Sequence, residues 1–345
     1  MTALRRVLAV RVGRMGDMVM LTPALRMLLA GLPWSEVHLL TSAEGRRVLR
    51  GFDPRLAAFH LYHRRFPGGL LDRGKLRRAL RALSFDRVYL FESHPFYRKL
   101  VEGLAPEIHG LVPDSTTAHY SARCLEVVAP TLDRLIAPGA LTLPVTEAGR
   151  AAAAAYLERH GIGATDVPVG LHLTFSESSR GPFASGRGRR HREWPLAECA
   201  ELAGLLFEEG RRLGIPIRPV IDALPEERAM AEKLRESSGG RITVLSGSPD
   251  FERYKALLAR LRLLITPNTG PMHVAAAVGT PVVALFSGWS PAECGPFAPP
   301  ERATVLRAED TDRPEQGLAA ISAARVLDAS RRWLEAAVPA PTATG

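Results

Sequence analysis

This chain is poor in lysine. Of its 45 Lys and Arg residues only Lys75, Lys99, Lys233 and Lys255 are lysines. It has three cysteines, Cys124, Cys199 and Cys294, with no C-x-x-C pair and no ligand-like spacing. They read as reduced, buried small residues of a cytosolic protein, and nothing among them suggests a metal cage. Long apolar runs are missing too. Arg11 and Arg14 interrupt "LRRVLAVRVGRMGD" where a signal core or a membrane span must be continuous, so the protein is expected to stay on the side of the membrane where it is made. There is no P-loop, no G-x-S-x-G elbow and no H-E-x-x-H pair, and "GIGATD" is only part of a glycine fingerprint. No solenoid-length repeat is present.

What is there belongs to a globular chain of 345 residues, 46% hydrophobic and 23% charged, long enough for about two domains. A net charge of +9 favours anionic partners: nucleic acid, a phospholipid surface or phosphorylated substrates. The arginine bias is either genomic habit or a preference for phosphate forks. No helix-turn-helix, zinc or aromatic RNA-binding signature accompanies the charge, which argues against nucleic acid.

Short apolar strands alternate with helical patterns. The first half offers strands at Val7–Val12, Val37–Leu40 and Arg87–Phe91, with helices in "LTPALRMLLAGL" and "DRGKLRRALRAL". Prolines bracket "APGALTLPV", which reads as a linker. The helix "TEAGRAAAAAYLERHG" follows. A second series has strands at Val169–Leu173, Ile217–Ile221, Thr243–Leu245 and Leu261–Thr266, with helices at Pro195–Gly210, Glu226–Ser237 and Asp250–Leu261. The expected architecture is α/β: a doubly wound domain over residues 1–140, another over 141–316, and a cleft between them. A helix over 317–337 is expected to pack back on the first domain, ahead of a disordered tail at 338–345.

Four segments carry candidate chemistry. In "LLITPNTGPMHVAAAVGTPVVALF" a buried strand stops at Asn268 and a helix restarts with Thr269 as N-cap and Pro271 in its first turn. Such a helix start, at the carboxyl end of a strand, presents amides, a Thr hydroxyl and His273 to an anion; the plainer reading is a well-capped core helix. In "RVGRMGDMVMLTP", Gly13 and Gly16 allow a tight turn, and Asp17 is either a helix cap or a general base, weak but reliably charged. "TFSESSRGPFASGRGRRHREWP" is a basic loop able to close over a diphosphate or simply to be solvated, and Arg192 is its best-anchored cation. Finally, the cationic face over Arg73–Arg81, with Arg64 and Arg65 upstream, is a solvated helix face or a contact for an anionic membrane.

Together, "GDMVMLTPALRML", "REWP" and "NTGPMHVAAAVGTPVVALFSGWSP" resemble glycosyltransferase family 9, the ADP-heptose:lipopolysaccharide heptosyltransferases. The resemblance spans nearly the whole chain. It implies the GT-B architecture, two Rossmann-like domains with the active site between them, the first binding the acceptor and the second the nucleotide-sugar. It implies an inverting transferase, with no metal and no cofactor, that moves a heptose or related sugar from an ADP-sugar to a lipopolysaccharide core or similar lipid-linked or phosphorylated glycan. The place of action implied is the cytoplasmic face of the inner membrane.

By the same resemblance Asp17 takes the proton from the acceptor hydroxyl. Thr174 and Arg192 lie near the donor diphosphate, Asn268, Thr269, Gly270, Pro271, Met272 and His273 form the donor-binding turn, and Glu227, or its neighbour Glu226, holds the ribose. The chain departs from the family pattern at Asn268, where Asp is usual, and in the length of its Ser176–Arg190 loop. A nucleotide-sugar epimerase and a non-catalytic sugar-nucleotide binder of the same fold are the alternatives.

Overall fold

The computed structural model describes residues 6–62, 68–111, 118–132, 136, 137, 139–173 and 193–337, without the side chains of 68–72. The chain divides into two compact units between Pro144 and Val145. The first contains β1 (Arg6–Val10), α1 (Met15–Met20), α2 (Thr22–Gly31), β2 (Glu36–Thr41), α3 (Ala43–Leu49), β3 (Leu56–Leu61), α4 (Gly68–Ala82), β4 (Arg87–Leu90), α5 (Pro95–Val101), β5 (Glu107–Gly110) and α6 (Tyr120–Val128). The second contains α7 (Glu147–Arg159), β6 (Val167–Leu171), α8 (Leu196–Leu213), β7 (Ile217–Ala223), α9 (Arg228–Ser237), β8 (Thr243–Ser246), α10 (Phe251–Arg260), β9 (Leu263–Pro267), α11 (Gly270–Ala277), β10 (Val282–Phe286), α12 (Pro291–Cys294), β11 (Ala303–Arg307) and α13 (Ala323–Glu335).

Among the described residues, the first sheet is parallel with order β3-β2-β1-β4-β5. The second is parallel with order β11-β10-β9-β6-β7-β8. Each is doubly wound: the strand order reverses beside β1 in one and beside β6 in the other. The central strands are apolar on both faces because helices cover both. Val7, Leu8, Ala9 and Val10 are fully buried, as are Leu263 and Val282 through Ala284. One core gathers Leu8, Val10, Leu40, Val88 and Leu100; the other gathers Val169, Leu202, Leu206, Ile265 and Val283.

The expected strand Val7–Val12 ends at Val10, and residues 11–14 form the loop that leads into α1. Helices α1 and α2 run on almost without a break, separated at Leu21. Pro23 has no N–H to give to Val19 O, and the Thr22 hydroxyl donates there instead at 2.7 Å.

The terminal helix corrects an expectation. It spans Ala323–Glu335, after 3-10 turns over Pro314–Ala320, and its apolar face packs in the second unit, not the first. Val326, Leu327, Trp333 and Leu334 join the core that contains Trp194 and Leu206. Trp194 Nε1 donates to Ile321 O at 2.8 Å, and Glu198 Oε2 accepts from Ala323 N at 2.7 Å. Buried Glu209 on α8 pairs with Arg212 at 2.6 Å and with Arg331 of α13 at 3.6 Å.

The cationic face of α4 is partly structural. Arg77 donates to Lys99 O at 2.7 Å and Glu102 O at 2.6 Å, satisfying carbonyls at the end of α5, and Arg73 lies over the Phe96 ring. Lys75, Arg78 and Arg81 are exposed. Arg64 and Arg65 lie outside the described residues.

Two imidazoles bridge β2 and β3. His38 Nδ1 is 2.9 Å from His60 Nε2, with the rings stacked. Burial lowers both pKa values, helped by the nearby charge of Arg6 at His38 and by His38 at His60. The unfolded chain, with His near about 6.5, therefore takes up protons before the folded one does. Stability is fully present above that value and is lost as pH falls through the lowered folded values. The melting temperature should drop more between about pH 7.5 and about pH 5.5 in the native chain than in His60→Phe. Equal drops in a scanning calorimeter would refute the assignment.

Candidate active site

The loop between β1 and α1 lies where the strand order of the first sheet reverses, at the carboxyl ends of β1 and β4. Doubly wound sheets open a crevice at that point. Each residue of this loop is fixed through its main chain. Arg11 N donates to Leu40 O at 3.0 Å and Val12 N to Glu92 Oε1 at 2.7 Å. Gly13 O accepts from Ser42 Oγ at 2.8 Å, and Arg14 N donates to Asp17 Oδ2 at 2.9 Å.

Asp17 is the third residue of α1, and its bond to Arg14 N is the carboxylate half of a capping box. Its other oxygen, Oδ1, meets Arg11 Nη2 at 2.8 Å. Cap and candidate base are thus the same half-buried carboxylate, one oxygen serving each. Arg11 Nη1 reaches Glu92 Oε2 at 3.0 Å and Phe91 O at 3.2 Å, and its guanidinium lies over the Tyr120 ring, whose hydroxyl donates to Phe91 O at 2.8 Å. Burial works against the Arg11 charge, but the groups around it, with Asp17 and Glu92 as its charged partners, outweigh it and leave the pKa raised. Burial also raises the Tyr120 phenol and pushes the Cys124 thiol up to about 12, so both stay neutral beside the ion pair.

Gly13 matters for its missing side chain. Its φ is not left-handed, but a Cβ there would come within 2.5 Å of Asp17 Cβ. Gly16 is not a turn residue: it is the second residue of α1.

In the second unit the order reverses between β6 and β9, and α11 begins there. Thr269 occupies the N-cap position with extended backbone, yet its hydroxyl does not cap the helix. It lies 3.1 Å from Thr266 Oγ1 and 3.3 Å from Pro267 O. Met272 and His273 are buried, at 0% and 3% exposure. The helix is apolar and enclosed on most sides. What its start offers an anion is main chain, although Pro271 has no N–H and Met272 N already donates to Thr269 O. Asn268 N donates to Leu285 O at 3.1 Å, and its Nδ2 points to Cys294 Sγ at 3.4 Å. Gly279, with φ +85, ends the helix.

Glu227 closes a 3-10 turn after β7, its Oε2 accepting from Leu224 N at 3.0 Å, while Glu226 is exposed. Thr174, Arg192 and the arginines of the 180–190 loop lie outside the described residues. At the same sheet edge the Tyr156 hydroxyl donates to Asp222 Oδ1 at 2.8 Å, and burial raises the Asp222 carboxyl.

Sequence reasoning missed Glu92 and Tyr120 and treated Arg11 only as an interruption. The signal was present: "RVYLFES" and "VLAVRV" each place a charge directly after a buried parallel strand. That is where a switch point puts its polar groups.

Residues 181–319 match the family model "Glycosyltransferase family 9 (heptosyltransferase)". The chain is 30% identical over 118 residues to lipooligosaccharide heptosyltransferase 2 of Haemophilus influenzae, covering 34% of this chain and 32% of that protein. The match therefore spans about a third of that relative's length. The solved structure of a family 9 glycosyl transferase from Veillonella parvula superposes with a TM-score of 0.80 at 21% identity, over 96% of this chain and 98% of that one. The structure of E. coli ADP-heptose lps heptosyltransferase II does so with a TM-score of 0.70 at 20% identity, over 95% and 98%. These likenesses establish the GT-B fold class.

The close approach of Gly13 and Asp17 is directly testable. Gly13→Ala should destabilise the chain by about 1–3 kcal/mol in urea unfolding, because the clash is with a Cβ and not with a flexible side-chain end. An unchanged midpoint would show that α1 is not held against this loop.

Proposed function

The chain belongs to glycosyltransferase family 9 through residues 181–319, and on that premise we propose that it transfers a heptose or closely related sugar from an ADP-sugar to a lipopolysaccharide-core acceptor. The observation that carries the reading is the Asp17 carboxylate, anchored by Arg11 and Arg14 N at the switch point of a sheet in a chain of this family. The name of the E. coli relative supports ADP-heptose as the donor. An epimerase is not favoured, since the family and the curated relative are transferases.

The reaction is a single displacement with inversion at the anomeric carbon. The acceptor hydroxyl attacks as the C–O bond to the diphosphate breaks, and Asp17 accepts the proton. A carboxylate paired with arginine is a weak base. It suffices when the sugar has become cation-like and the attacking oxygen has already lost electron density. The leaving diphosphate gains charge, which favours binding at the first-turn amides of α11 and at Arg192, with Thr174 nearby. Asn268 and Glu227 orient the sugar and the ribose. No divalent metal takes part in this scheme. Lys75, Arg78 and Arg81 of α4 suit an anionic acceptor or membrane surface. Among the described residues no helix is long and apolar enough to cross a membrane.

Asp17→Asn should lower transfer at least about a hundredfold while ADP affinity, read by thermal shift, stays within about twofold. Exhaustive chelation with EDTA should leave the rate of ADP release unchanged. Near-normal turnover by Asp17→Asn removes the base, and loss of activity on chelation removes the metal-free scheme.

A further inference from the structure

Arg11 touches more than the base. One guanidinium serves two carboxylates: Nη2 holds Asp17 Oδ1 at 2.8 Å, and Nη1 holds Glu92 Oε2 at 3.0 Å. Glu92 is buried, with 7% of its side chain exposed, and its second oxygen binds Val12 N at 2.7 Å. Asp17 is the accessible end, at 32%. With the Tyr120 stack and the bond to Phe91 O, the guanidinium has little freedom to turn.

We propose that Arg11 and Glu92 act through Asp17 as positioning residues, Arg11 aiming the carboxylate and Glu92 restoring basicity that the arginine would otherwise remove. This rests on Asp17 being the base. An arginine alone at contact distance favours the carboxylate over the acid and makes a poor proton acceptor. A second carboxylate on the same guanidinium adds negative charge close by and opposes that effect. Glu92 is therefore a counterweight, set too deep to take the proton itself.

Other charged and titratable groups among the described residues lie around the triad. Arg14 supplies its main-chain N–H, and α6 brings Tyr120 and Cys124, both kept neutral by burial, with Arg123 nearby. Of the helices packed on α1, α2 carries exposed Arg26, and α3 brings Gly45 against Met18 while its Glu44 pairs with Arg47 at 3.7 Å. Among the described residues, the contacts within the triad set one guanidinium against two carboxylates.

The test is the pH dependence of kcat, with ADP-heptose and a heptose-free lipopolysaccharide core as substrates and ADP release as readout. Glu92→Gln keeps an amide oxygen for one of its partners but loses the charge. Its kcat should fall several-fold at unchanged donor KM, and its acid limb should move down by about one pH unit. Arg11→Met should move the limb up by about one unit or more, and the double variant should bring it back towards the native position. If Arg11→Met does not fold, Arg11→Lys keeps the charge without the fork and should show a lower kcat at a nearly native limb. Simple structural damage lowers kcat and the melting temperature but does not move the limb in opposite directions.

Profiles that superimpose after scaling, with Asp17→Asn inactive, overturn the counterweight and leave the base in place. A functional Asp17→Asn overturns both.

Discussion

A positive charge taken out of water at the end of a central strand has to find negative charge close by, or the surrounding chain will not close over it. Arg11 is that charge, and much of the first unit is arranged around it. Glu92 follows the end of β4, α1 opens with Asp17 in its third position, and α6 lays Tyr120 across the guanidinium. The loop carrying Arg11 is then pinned residue by residue to β2, to Glu92 and to α1. A half-exposed carboxylate on a surface helix would ordinarily sample several rotamers. Here its two oxygens are held by different partners, and its direction follows from the fold.

The second unit meets the same need for polar groups at a switch point by other means. Helix α11 is buried almost all round, so its first-turn side chains belong to the packing: Met272 and His273 are inside, and Thr269 turns back towards the strand it follows. Such a helix presents main-chain amides, whose direction is set by the helix axis and does not depend on rotamers. One unit offers a held side chain, the other a held backbone.

Central strands and long helices were legible because burial on both faces leaves unbroken apolar runs, as in "VLAV" and "LLIT". The edge strands β3 and β5 were not read. "LAAFHL" and "EIHG" are only partly buried, so neither an apolar run nor a clean alternation marks them. Asp17 was legible as a helix start and a candidate base, but its partners were not. Arg11 and Glu92 are 81 residues apart and meet only through strand order. The helix start at Gly270 was placed correctly, whereas the direction of His273 depends on how many sides of the helix are covered. The destination of the last helix failed for a related reason. An amphipathic stripe says that a face will be buried, and Glu209, Arg331 and Trp194 decide against what.

That last attachment bears on synthesis as well as on the finished molecule. The first unit gathers the core of Leu8, Val10 and Leu100 from residues up to Ile108, before the second unit is made, and domains made early commonly fold while the ribosome is still at work. The second unit has no such advantage. Trp333 and Leu334 fill the same core as Trp194, so that core stays open until both have been made. Maturation of the nascent polypeptide is therefore staged: one half settles early, and the other waits for α13 to supply its closing wedge.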